Sequence, residues 1–187
     1  MLRVDTKKQI LDIGENLLLN LGYKGFSYKN ISSALNVKNA SIHYHYPQKN
    51  DLGVAIIERA RKRFELWTQS KKIQDLSYKE KLDALVAQFK HFLKEGQVCF
   101  VCSLANDFKV LPVEMQIEIR KFLLDMHRWT ANLLKEGRDQ GVFNYPGDPK
   151  DQALVILTSL QGALQTARLT DASCFDYITK QIKNLVS

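Results

Sequence analysis

Apolar residues recur at three- and four-residue steps through most of this chain, the spacing of one buried helix face. The first run is Ile10, Ile13, Leu17, Leu18 and Leu21; Thr6 to Gln9 ahead of it fits a reciprocal capping box, and Gly22 can close it in the left-handed region. Ser27 can cap a short second helix carrying Ile31, Ala34 and Leu35, and Asn36 then supplies a turn because Asn tolerates positive φ. A third helix is predicted over 40–46, with Asn39 as its cap and Pro47 as its stop. A fourth begins near Lys49, carries Leu52, Ile56, Ala60, Phe64 and Trp67 on one side, and runs to about residue 70.

Beyond a polar stretch at 69–76, Ser77 to Glu80 repeats the capping-box pattern before Leu82, Leu85, Val86, Phe89, Phe92 and Leu93. A short helix is predicted over 98–109. A long one follows over 112–141, with Pro112 in its first turn and Ile119, Phe122, Leu123, Met126 and Leu133 along it. After a turn at 144–149, Asp148 and Pro149 read as cap and first residue of a helix to about 168. Phe175, Ile178, Ile182 and Leu185 mark the last helix. No alternating apolar and polar run is bounded by turns, so the fold class is all-α, with about nine helices. Residues 1–48 form a three-helix N-terminal domain with a helix-turn-helix; residues 49–187 form a larger helical domain, joined through the fourth helix.

Composition narrows the class. With 187 residues, 45% hydrophobic and 25% charged, the chain is globular, and disordered or fibrous readings are excluded. The longest uncharged interval, Gln152 to Ala167, is broken by Thr158, Ser159, Gln161, Gly162 and Gln165, so no membrane span is expected. The first twenty residues hold no continuous apolar stretch of the signal-peptide kind, and the three cysteines do not make a disulfide framework, so a cytoplasmic protein is expected. The net charge of +7 is localised: residues 1–72 hold 13 Lys and Arg against 6 Asp and Glu, and the rest of the chain is balanced. Such an excess either attracts a polyanion to one end of the molecule or is a solvated helix face, and the sequence pattern must decide between them.

Two short helices across a tight turn in that basic end make a helix-turn-helix candidate. The wording of residues 31–52, with Ile42-His43-Tyr44-His45-Tyr46-Pro47 and Lys49 inside it, closely resembles the DNA-binding signature of TetR-type (tetracycline-repressor-like) transcriptional regulators. The resemblance covers residues 6–55 by motif; looser cues are Leu160-Gln-Gly-Ala-Leu164 and Glu136-Gly-Arg-Asp-Gln-Gly-Val-Phe143. Asn36 stands where Gly is common in that family and Lys38 where Ser commonly caps the recognition helix. The resemblance implies duplex DNA as partner, a palindromic operator, a homodimer and a small-molecule inducer.

The third helix can also be read on its own geometry. At 100° per residue Ile42 and Tyr46 share the face that packs on Ile31 and Leu35, while Ala40, Ser41 and Tyr44 point away. Ser41 can donate or accept at a base edge, the Tyr44 ring can meet a thymine methyl, and Ala40 permits close approach. The helix N-terminus offers free N–H groups to phosphate. The resemblance adds Lys38 and Asn39 at the DNA surface and a phosphate clamp by His43, Tyr46 or Lys49, with Ser27 and Lys29 positioning the preceding helix. His43 and His45, two apart on a helix, cannot easily share a metal ion, and no metal, catalytic group or cofactor is expected.

In the larger domain, Phe89, Phe92, Phe100, Phe108, Met115, Phe122, Met126 and Trp129 can line an apolar cavity, with Gln88, Asn106 or Gln161 as polar groups for a small apolar or amphipathic ligand. Ordinary core packing explains the same residues, and for any one of them it is the favoured reading, because periodic aromatics are usually interior. Leu157, Leu160, Gly162, Ala163, Leu164 and Ala167 on one helix, and Phe175, Ile178, Ile182 and Leu185 on the next, are the candidate dimer surface. Cys99-Phe-Val-Cys102 has redox-motif spacing in apolar surroundings, where buried cysteines usually serve as packing. No phosphate loop or hydrolase signature is present, which disfavours an enzyme. The alternatives are a helical interaction protein with a basic surface and a thiol-based redox sensor on the same DNA-binding scaffold.

Overall fold

In the computed structural model, residues 6–25, 27–97 and 99–187 are described. Ten α-helices lie among them: α1 Thr6–Gly25, α2 Tyr28–Leu35, α3 Asn39–His45, α4 Lys49–Gln69, α5 Lys71–Gln74, α6 Tyr78–Lys94, α7 Phe100–Ala105, α8 Val113–Asp139, α9 Pro149–Leu169 and α10 Ala172–Asn184. The residues described include no strand. The additional helix relative to the sequence expectation is the single turn α5, which follows an extended Ser70 that offers no side-chain cap. The short helix expected over 98–109 is α7 followed by a 3₁₀ turn, Phe108–Val110; its expected first residue, Val98, lies outside the described residues.

The predicted punctuation is largely in place. Gly22 departs from helical geometry at φ 71°, a region open to glycine, and interrupts α1 where the helix was expected to close. Ser27 caps α2 in a reciprocal box with Asn30, Ser77 does the same with Glu80 at α6, and Asp148 accepts from the Lys150 N–H at 2.8 Å ahead of Pro149.

The chain folds as two compact units. The first joins the described residues up to Lys62 with Phe100–Phe122; the second joins Arg63–Cys99 with Leu123–Ser187. In the first, Ile10, Leu18, Ile31, Ile42, Leu52, Ile56 and Ile57 are fully buried. The start of α4 belongs with α1 because there is no room to separate them: a β-carbon on Gly14 would stand 3.1 Å from Ile56 and 3.3 Å from Leu52. Arg59 on α4 reaches back to the carboxylates of Asp12 and Glu15 and, at 2.9 Å, to the Leu11 carbonyl. α7 joins this unit through a Ser103 hydroxyl that donates to the Leu18 carbonyl at 2.8 Å.

In the second unit α9 packs against α10 and α6. Lys90 pairs with Asp176 at 2.7 Å and Lys183 with Asp83 at 2.6 Å across α6 and α10. Phe143 folds back onto α8 over Gly137.

Candidate nucleic-acid interface

The site is built around α3. Asn36 sits in the left-handed region at φ 53°, ψ 45°, and turns the chain from α2 into α3 within three residues. The expected cap does not form: Asn39 is already the first helical residue, the cap position is Lys38 in an extended conformation, and no side chain satisfies the first N–H groups. Asn39 is therefore corrected from a capping residue to an exposed residue of the first turn.

Ile42 is fully buried and Tyr46 is buried beside it, whereas Tyr44 is 83% exposed. Ala40, Lys38, Lys29, Ser27 and His43 are exposed, and Ser41 is half-buried. Eight of the ten candidate DNA contacts, all but Tyr46 and Lys49, thus combine accessibility with a place on α3, its preceding turn or the start of α2. Tyr46 serves the core: its carbonyl accepts from the Tyr28 hydroxyl at 2.7 Å and Lys7 lies 5.7 Å from its ring. Burial, then Asp51 and the neighbouring Tyr23 and Tyr46, push the Tyr28 phenol upward and keep it a donor.

Lys49 is also committed to structure. Its ammonium donates to the Tyr23 carbonyl at 2.6 Å and stands 4.3 Å from the Tyr23 ring. Burial lowers its pKa, and Asp107 partly offsets that shift. Nothing in the spacing of the sequence signals this bond, which spans 26 residues. His43 donates from Nδ1 to the Pro47 carbonyl at 3.0 Å and meets the Tyr28 ring edge-on at 4.7 Å. His45 meets the Tyr44 ring edge-on at 5.1 Å.

The ligand candidates are divided between the units. Phe100, Phe108, Met115 and Phe122 fold in the first; Phe89, Phe92, Met126, Trp129 and Gln161 fold in the second. Gln88 and Asn106 are exposed. The amide nitrogen of Gln161 is shielded and has no hydrogen-bond partner.

The candidate dimer surface needs correction. Leu157, Leu160, Ala163, Leu164, Ala167, Phe175 and Ile182 are buried within the chain's own second unit, because one apolar stripe per helix is consumed where α9 packs on α10 and α6. Gly162 and Leu185 are exposed and Ile178 is half-buried. Outside that stripe stand Leu154, Val155, Leu169 (87% exposed) and Tyr177 (64% exposed), which sequence reasoning missed. The available signal was their place off the core face of their own helices. Among the described residues no group of three His, Cys, Asp or Glu is arranged to hold a metal, and no helix is long and apolar enough to cross a membrane.

An all-α architecture with a helix-turn-helix whose second helix exposes one face defines a DNA-binding regulator. Residues 79–182 match the family model of the tetracyclin repressor-like C-terminal domain. The chain belongs to the TetR family of transcriptional regulators. A TetR-family regulator from Agrobacterium tumefaciens superposes with a TM-score of 0.91 at 26% identity, covering 97% of this chain and 98% of that one. One from Legionella pneumophila does so at 0.88 and 30% identity, with both chains fully covered. The HTH-type transcriptional repressor NemR of Escherichia coli is 22% identical over 98% of this chain and 94% of its own length.

Proposed function

We propose that this protein is a cytoplasmic, homodimeric repressor that binds a palindromic duplex through α3 and is released by a small apolar or amphipathic ligand. One observation carries the reading: α3 hides Ile42 and Tyr46 while presenting Ala40 and Tyr44 in the basic part of the chain. Two such helices about 34 Å apart fit successive major grooves on one side of a duplex. The exposed apolar residues Leu154, Val155, Leu169, Tyr177 and Leu185 support self-association through the outward faces of α9 and α10. The unpartnered Gln161 amide supports a polar anchor for a ligand in the second unit. Selection from random duplexes at stated salt tests the reading: a palindrome is expected, and absence of enrichment rejects it. Sedimentation as a monomer at micromolar concentration rejects the dimer.

A thiol-responsive version has one supporting observation. Cys102 is half-buried and outside any disulfide, and the next residue, Ser103, bonds α7 to the Leu18 carbonyl of α1. Thiol titration of native protein decides it; slow, unreactive sulfurs at Cys99 and Cys102 reject it.

A further inference from the structure

We propose that His43 is a phosphate contact that works only when protonated, so that operator affinity is coupled to proton uptake; this rests on the DNA-binding reading above. The Pro47 carbonyl has lone pairs and no hydrogen, so a bond from His43 Nδ1 at 3.0 Å requires the proton on that nitrogen. The neutral ring is thereby fixed in one tautomer. Its orientation is fixed as well, by the edge contact with Tyr28 at 4.7 Å.

In that tautomer Nε2 carries a lone pair. A phosphate oxygen brought to it meets a second acceptor, and the contact is repulsive. Protonation changes both properties at once: Nε2 gains an N–H to donate, and the ring gains a positive charge. His43 is exposed at the basic end of the chain, and no ion pair or other partner engages Nε2 among the described residues. A histidine side chain in general changes charge between about pH 5 and 8, a range in which lysine side chains ordinarily do not.

Among the described residues, the titratable and charged groups on the elements around this corner are few. On α2 the Tyr28 ring faces His43, with Lys29 beside it in sequence. On α1 Lys7 stands over the Tyr46 ring. On α3 itself are Tyr44 and His45, and at the start of α4 are Lys49, bonded to the Tyr23 carbonyl, and Asp51, which accepts from the Gln48 N–H. Among the described residues no carboxylate makes an ion pair with His43.

The test uses the full-length protein and the duplex it selects, with affinity measured at about pH 6 and about pH 8 over a range of salt. Expected is tighter binding at the lower pH, by at most about tenfold per pH unit for each His43. The slope of log K against log salt should also steepen by about 0.9 per subunit, since one more phosphate is neutralised. His43→Tyr, which supplies an O–H that does not titrate in this range, should remove both differences; His45→Gln should keep them. Ring-proton NMR of His43 in the wild type should show its titration midpoint moving up on the duplex. Equal affinity at both pH values overturns the proposal alone, as does a pH difference that survives His43→Tyr or disappears in His45→Gln. Absence of any selected duplex overturns the DNA-binding reading and the proposal with it.

Discussion

The hydroxyl of Tyr28 at the start of α2 donates to the carbonyl of Tyr46 at the end of α3, 18 residues on and 2.7 Å away. Both groups are buried, so the bond cannot be exchanged for water. It ties the last turn of a seven-residue helix to its neighbour, and a helix that short has little stability of its own. Tyr28→Phe should lower the unfolding free energy by about 1 kcal/mol, because the Tyr46 carbonyl loses its donor in an apolar site. Denaturant unfolding measures this, and operator affinity should fall with it for every duplex sequence alike.

Lysines at the interface should separate into two kinds. Lys29 is exposed, so Lys29→Ala should leave stability within about 0.5 kcal/mol of the wild type and reduce the magnitude of the salt slope by about 0.9 per subunit. Lys49→Ala removes a donor from the Tyr23 carbonyl and should lower the melting temperature as well as affinity. Parallel melting curves and salt titrations of the two variants check the distinction.

Gly137 and Phe143 meet so closely that a β-carbon on the glycine would clash with the ring. Gly137→Ala should therefore force Phe143 out of its buried site at a cost of about 1–3 kcal/mol, read by denaturant unfolding.

Two capping carboxylates give the protein a defined acid sensitivity. Hydrogen bonds from Ser77 hold Glu80 below its ordinary value, and hydrogen bonds from Ser173 do the same for Asp171 at the start of α10. A depressed folded-state value means the unfolded chain binds protons first. The stability these groups confer is present above the ordinary carboxylate range, about pH 4, and is lost as pH falls through their folded values. Asp171→Ala should lower the melting temperature at neutral pH, with the gap to wild type closing in acid.

Local features could be read directly from residues. Asn36, Ser27, Ser77, Asp148 and Pro149 act through their own backbone or the next three residues, so spacing reveals them. Helix period alone puts Ile42 and Tyr44 on opposite faces, and they lie there. The spacing points to Asn39 as the cap, but cap identity depends on one residue of backbone geometry, and Lys38 takes that place. What sequence could not supply is contact at long range: Lys49 to Tyr23, Ser103 to Leu18, and the association of residues 100–122 with the N-terminal helices. The dimer candidates erred for a related reason. Period identifies an apolar stripe, as at Leu157, Leu160 and Leu164, without saying whether the chain itself or a second copy covers it.

The central claim is that the face of α3 bearing Ser41 and Tyr44 lies against base edges. Selection from one random duplex pool, run side by side for the wild type and Tyr44→Ala at the same salt, tests it most directly. The account predicts that the variant still enriches the palindrome but loses its preference at one symmetric pair of positions, worth about 1–3 kcal/mol of discrimination. Identical base preferences in both pools, or a uniform loss of affinity at every position, would contradict it.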